Sequence, residues 1–177
     1  NLNEMPSRIK GAALSCILSD TLEFRSPTTT DLDRSTAKKL AEDLKIDVQN
    51  FASELFKAKS DVSNYTDPEL ILMDSKKYDV GDKKFRISVM ETTQPQEILR
   101  RKKSILEAMK NIEAEEGVDQ ILFFVIDILK KEAILFVPNR LVKEIAEKSF
   151  GTSCVEDTTI LPGILSRKKQ IIPQLKV

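Results

Sequence analysis

Apolar residues recur at helical spacing through the first third of the chain, and beyond it strand-like apolar stretches alternate with amphipathic helical ones. Residues 8–19 predict a buried helix that ends near Asp20-Thr21. Ser26-Pro27-Thr28-Thr29-Thr30 then turns the chain and supplies an N-cap, and Leu32, Ala37, Leu40, Ala41 and Leu44 form one face of a second helix. Asp47 caps a third, whose buried stripe is Val48, Phe51, Ala52, Leu55 and Phe56. From Lys57 to Thr66 the chain turns polar, which predicts a domain boundary and divides the molecule into 1–60 and 61–177.

Beyond the boundary, Asp67-Pro68 starts a short helix through Met73, with proline at the favoured first position. Gly81-Asp82 turns the chain into a strand that sets Phe85, Ile87 and Val89 against Lys84, Arg86 and Ser88. Thr93-Gln94-Pro95-Gln96 has the spacing of a capping box and opens one long amphipathic helix through Ile112, ended by Gly117. Residues 120–126 are apolar on both faces, as a central strand requires, and Ala133 to Val137 predict another. Pro138-Asn139 begins a helix ended by Gly151, and strand-like pieces near Cys154 and Ile160 lead to the carboxyl end. Strands alternating with helices predict an α/β sandwich, not a bundle or a barrel.

Of the 177 residues, 41% are hydrophobic and 32% charged, which is enough to bury a core. The 28 basic and 28 acidic residues cancel, so net charge gives no support to general nucleic-acid or membrane-surface binding, and any anion site must be local. No apolar run approaches the roughly 20 residues of a membrane span, and no signal segment opens the chain. Cys16 and Cys154 read as small buried hydrophobes in a reducing cytoplasm. Histidine is absent, so Ser-His or Cys-His catalysis and His-ligated zinc cannot be built from these residues alone. The start at Asn1, without an initiator Met, suggests a piece of a longer protein.

The feature that departs from ordinary helix electrostatics lies near the carboxyl end. Ser166 reads as an N-cap after the Pro162-Gly163 turn, yet Arg167, Lys168 and Lys169 fill the first helical turn. Cations there oppose the macrodipole by a few tenths to about 1 kcal/mol each. The conflict disappears if a multivalent anion sits at that end, because free N–H groups, Arg and Lys then converge on the same oxygens. The competing reading is a solvated terminal charge run, and the apolar pair Ile171-Ile172 just beyond it argues against that.

Other residues carry weaker signals. Asp20 closes an apolar helix at its negative pole, where a metal ion, Arg25 or exposure in the turn would each compensate it. Lys76, in Met73-Asp74-Ser75-Lys76-Lys77-Tyr78, reads by itself as surface decoration. Arg100-Arg101-Lys102-Lys103 reads as a solvated helix face with Glu97 and Glu107 for local pairing. Asp127 ends the buried strand and reads either as a cleft residue or as a turn cap.

Taken together, Leu18-Ser19-Asp20-Thr21-Leu22 with Ser26-Pro27-Thr28, then Met73-Asp74-Ser75-Lys76, then Asp127-Ile128-Leu129, then Ser166-Arg167-Lys168-Lys169-Gln170 resemble the family II inorganic pyrophosphatases, within the DHH phosphoesterase superfamily. The resemblance implies a helical tail of the DHH domain over 1–60, followed over 61–177 by a DHH-associated substrate-binding domain with a mixed β-sheet flanked by helices. It implies Asp20 as a metal ligand, and Lys76, Arg167 and Lys168 as pyrophosphate-binding residues. It further implies manganese as cofactor, with cobalt or magnesium as substitutes, an amino-terminal DHH domain carrying the other metal ligands, and a cytoplasmic homodimer of the full-length enzyme. Hydrolysis of pyrophosphate to two phosphates would need that further domain, so this chain alone is expected to be inactive. An exopolyphosphatase of the same superfamily and a non-catalytic anion-binding module are the alternatives.

Overall fold

The computed structural model describes residues 4–154 and 156–177, and the chain divides into two compact units, Asn1–Ser60 and Asp61–Val177. The strand expected near Cys154 falls partly on Val155, which lies outside the described residues; Cys154 itself is buried in irregular chain.

The first unit is helical: α1 (Ser7–Asp20), α2 (Asp31–Leu44) and α3 (Val48–Lys59). Leu14, Leu18, Ala37, Leu40, Ala41, Ala52 and Phe56 make its core. Thr30 and Asp33 form a reciprocal capping box at α2, and the Asp47 carboxylate accepts from the Asn50 N–H at 2.8 Å to open α3. Three expectations are corrected here. The first helix buries only Leu14 and Leu18 among its residues, so it is amphipathic and not buried throughout. Cys16 lies off that stripe and is exposed. Leu32, at the second position of α2, points away from the Ala37-Leu40-Ala41 stripe and is 73% exposed.

The second unit is a five-stranded mixed sheet in the order β1-β2-β3-β4-β5. Its strands are β1 (Ser75–Val80), β2 (Lys83–Thr92), β3 (Gln120–Asp127), β4 (Glu132–Phe136) and β5 (Thr158–Pro162). Strands β2 and β3 pair in parallel, and the chain between them forms α5 (Pro95–Arg100) and α6 (Lys102–Glu116), the crossover that parallel pairing demands. The other three pairs are antiparallel. Before the sheet stands α4 (Asp67–Leu72), opened by a Thr66–Glu69 capping box; α7 (Arg140–Phe150) comes after β4. The expectation of an α/β fold with a mixed sheet flanked by helices holds.

Alternation along β3 divides the core. Ile121, Phe123 and Val125 face one side with Met90, Ile134 and Phe136, packed with Leu70, Ile71, Ile98, Ile105, Met109 and Ile112. Phe124 points to the other side and meets the Phe150 ring of α7 edge-on, with centroids 6.2 Å apart. Every residue of β3 is buried, which is why its sequence is apolar without interruption.

The long helix after Thr93 is in fact two, broken at Arg101, and no side-chain capping bond forms at Gln94. Instead Thr92 Oγ1 accepts from the Gln94 N–H at 2.9 Å. The break puts the basic run to structural use. Arg101 donates from Nε to Asp67 Oδ1 and from Nη2 to the Tyr65 carbonyl, both at 2.8 Å, and Lys102 reaches Asp157 at 2.6 Å. The solvated-face reading therefore survives for Arg100, which pairs with Glu97, but not for Arg101 or Lys102.

Candidate anion site and its anchors

The basic carboxyl-terminal segment is a five-residue π turn, Arg167–Ile171, running into a single helical turn, α8 (Ile172–Gln174). Ser166 does cap it, its side chain accepting from the Lys169 N–H at 3.3 Å. So short an element has little macrodipole, and the expected convergence of all three cations at a helix start is not its organising feature. Gln170 organises it instead. Its Oε1 accepts from the backbone N–H of Leu165 at 2.8 Å and of Ser166 at 3.0 Å, while its Nε2 donates to the Gly163 carbonyl at 2.7 Å. Gly163 has φ +75°, a turn conformation that glycine adopts without strain.

From this turn Arg167 reaches to the start of β1. Its Nη1 donates to the Asp74 carbonyl at 2.8 Å and to the Ile87 carbonyl at 3.3 Å, and its Nη2 donates to Asp74 Oδ1 at 2.7 Å. The side chain is only 13% exposed, whereas that of Asp74 is 58% exposed. A guanidinium carries five N–H donors, and three are spent in this way. The two that remain, Nε–H and the second Nη2–H, lie along one edge and have no partner among the described residues. That edge is the fork that fits two oxygens of one phosphate.

Lys76 comes to the same place from the other direction. It is the second residue of β1, an edge strand, and its register partner in β2 is Ile87, whose carbonyl Arg167 contacts. Directly opposite residues of an antiparallel pair project to one face, so Lys76 shares the face of buried Ile87. Lys77 projects to the other face, where it pairs with Glu116 at 2.9 Å; Arg86 pairs with the same carboxylate and donates to Ser75 Oγ at 2.9 Å. This network fastens the edge strand to β2 and α6, and leaves Lys76 exposed, its ammonium without a partner among the described residues. Lys168, next to Arg167 on the π turn, is likewise exposed and has no partner among them. Lys169 is exposed as well but has other interactions. The structure thus gathers Arg167 and Lys76 at one end of β1, with Lys168 adjoining Arg167 along the chain.

The anchoring partner Asp74 was not singled out from sequence. Its place directly before Ser75-Lys76 is the only local signal it carries. Asp127 proves to be a turn cap, 3% exposed, its Oδ1 accepting from the Leu129 and Lys130 N–H groups at 2.9 Å each.

Asp20, in the first unit, is the last residue of α1 and is exposed. Of the compensations that its position allows, exposure is the one observed, since Arg25 pairs with Glu23. The turn beyond Thr21 has an uncommon backbone: Leu22, Glu23 and Phe24 all lie in the left-handed region, with φ of 51°, 52° and 65°. For residues with a Cβ this conformation costs roughly 1–2 kcal/mol each, and it persists only where surrounding contacts overdetermine it. Here Thr21 Oγ1 accepts from the Phe24 N–H at 3.2 Å, and Glu23 N–H donates to the Leu18 carbonyl at 2.8 Å. Arg34 donates to the Phe24 carbonyl at 3.2 Å, with its guanidinium carbon 5.2 Å from the Phe24 ring centre. The described residues bring together no three His, Cys, Asp or Glu side chains that could hold a metal ion. One exposed carboxylate does not fit a manganese centre by itself. No described helix is long and apolar enough to cross a membrane.

The family model described as the DHHA2 domain matches residues 53–177, which include β1, the π turn and every side chain of the candidate anion site. The chain belongs to the DHHA2 domain family. The match also covers the end of α3, ahead of the unit that holds the sheet. This DHHA2 chain is 38% identical over 174 residues to the manganese-dependent inorganic pyrophosphatase of Methanocaldococcus jannaschii, covering 98% of this chain and 56% of that protein. It is 35% identical over 173 residues to the manganese-dependent inorganic pyrophosphatase of Bacillus subtilis, covering 97% of this chain and 55% of the relative. A crystal structure of a Methanococcus jannaschii protein described as a family II inorganic pyrophosphatase superimposes with a TM-score of 0.83 at 39% identity. That match covers 97% of this chain and 55% of the other. The chain therefore spans slightly more than half the length of the relatives it matches.

Proposed function

We propose that this DHHA2 chain supplies the phosphate clamp of a manganese-dependent inorganic pyrophosphatase that hydrolyses pyrophosphate to two phosphates. The observation that carries the reading is the unspent edge of Arg167, whose other edge is held by Asp74 just before the strand that carries Lys76. A guanidinium fork with two ammonium groups suits a small polyanion, where the fork fixes orientation and the lysines add point charge. The names of the relatives favour pyrophosphate over longer polyphosphates.

In this reading Arg167, Lys76 and Lys168 bind substrate, and Asp20 contributes one metal ligand to a centre whose remaining ligands lie outside this chain. The chain alone binds pyrophosphate without turning it over, and the complete enzyme works in the cytoplasm as a homodimer. Neither a nucleic acid nor a membrane is required as partner.

Calorimetric titration of pyrophosphate into the purified chain tests this. We expect saturable one-to-one binding that is weakened by Arg167→Ala and by Lys76→Ala, with no phosphate released over the same period. Absence of binding, or binding indifferent to both substitutions, overturns the proposal.

A further inference from the structure

The direction of Arg167 is set by a residue outside the group that would touch the ligand. Gln170 and Ser166 fix the backbone of the π turn, but a guanidinium at the end of a long side chain remains free to swing unless its own hydrogens are held. Asp74 holds them twice, its main-chain carbonyl taking Nη1 and its carboxylate taking Nη2. Both bonds engage the same edge of the guanidinium, which leaves the Nε/Nη2 edge facing away. The same residue stands two positions before Lys76 and accepts from the Val89 N–H at 2.9 Å, so the strand pairing that sets Lys76 also sets the anchor of Arg167.

Electrostatics sharpens the point. An exposed carboxylate one guanidinium's width from a bound phosphate disfavours the anion by charge alone. Aim and repulsion are opposite contributions from one side chain, and chemistry can separate them. Asparagine keeps the Oδ1 acceptor and removes the charge; alanine removes both.

The geometry points to Asp74 as a positioning residue, which holds the Nη1/Nη2 edge of Arg167 so that the Nε/Nη2 edge is presented to the oxygens of a phosphate. This rests on the anion-site reading above. Asp74 itself does not touch the ligand.

The test is a double-mutant cycle on the intact chain, with pyrophosphate as the probe and calorimetry as the readout. Asp74→Ala should weaken binding by about tenfold, the usual scale of losing one well-placed charged hydrogen bond. Asp74→Asn should bind as tightly as the parent or more tightly, since the acceptor stays and the repulsion goes. In an Arg167→Ala background, Asp74→Ala should cause no further loss and should leave binding equal or slightly tighter, because only the repulsion remains to be removed. A second readout needs no ligand: in the free chain, rotation about the guanidinium bonds of Arg167, monitored by nitrogen-15 NMR, should be restricted in the parent and in Asp74→Asn and faster in Asp74→Ala.

Parent-like affinity in Asp74→Ala overturns the inference, as does a loss of equal size in the Arg167→Ala background. A loss in Asp74→Asn as large as in Asp74→Ala overturns it too, because it shows that charge and not the acceptor matters. A parent chain that fails to bind pyrophosphate defeats the anion-site reading and this inference with it. An unaltered Arg167 side chain in Asp74→Ala defeats the inference alone.

Discussion

Gln170 reaches back four residues to accept the Ser166 N–H at 3.0 Å, and in doing so locks the turn from which Arg167 and Lys168 project. The same side-chain oxygen takes the Leu165 N–H, and its amide nitrogen reaches the Gly163 carbonyl, so one residue closes three backbone groups. Removing it should loosen the site without touching the ligand. Gln170→Ala should lower the unfolding free energy by about 1–2 kcal/mol, the scale of leaving such backbone groups unsatisfied, and should weaken pyrophosphate binding. Gln170→Glu keeps the acceptor and should recover part of the stability. Urea unfolding together with calorimetric titration checks both.

Arg167 is not exchangeable for lysine in this geometry. An ammonium cannot engage Asp74 along one edge and a phosphate along another, because it has no planar fork. Arg167→Lys should therefore bind pyrophosphate roughly tenfold more weakly, or about 1.4 kcal/mol, although the charge is kept. Binding of the Lys variant that matches the parent would show that charge alone suffices.

The basic run in the crossover offers a contrast in stability. Arg101 ties the break between α5 and α6 to Asp67 and Tyr65 with a partly buried side chain, so Arg101→Ala should cost about 1–2 kcal/mol. Arg100 is exposed on the helix surface and pairs with Glu97, and Arg100→Ala should stay within about 0.5 kcal/mol of the parent. Chemical denaturation of the two variants side by side separates a staple from a solvated charge.

Several elements were legible in the sequence because their determinants are local. Apolar runs, caps such as Thr30, Asp47 and Asn139, and terminating glycines such as Gly117 and Gly151 each act within one turn of their own residue. Strand β1 was not legible. Ser75–Val80 is a polar edge strand with no buried face of its own, so it carries no alternation, and Lys76 by itself read as surface decoration just after a helix. The aim of Arg167 was equally hidden, because its anchor Asp74 lies 93 positions away. The Arg101 staple fails from sequence for the same reason: its carboxylate is 34 positions distant, whereas Glu97 and Glu107 stood nearby as decoys.

Glu113 gives the unit a pH signature. Its Oε1 accepts from the Ile121 N–H at 2.7 Å and from Gln120 at 2.6 Å, and burial raises its pKa above the ordinary value of 4.5, outweighing the Ile121 hydrogen bond and the nearby Lys110. The folded chain thus holds this proton to higher pH than the unfolded chain. The stability that results is fully present below the ordinary value and is lost as pH rises through the raised one. Glutamine retains the Oε1 acceptor and cannot ionise. Glu113→Gln should match the parent at low pH and exceed it in stability as pH rises toward neutrality, measured as the difference between urea midpoints at each pH.

The most direct test of the anion site is the Nε–H signal of Arg167 itself, monitored by proton–nitrogen-15 NMR as pyrophosphate is added to the chain. The geometry leaves that hydrogen without a partner among the described residues, so ligand binding should shift it strongly and protect it from exchange with water. A saturating titration in which the Arg167 Nε–H signal stays at its free position, while pyrophosphate binds elsewhere on the chain, would contradict the account.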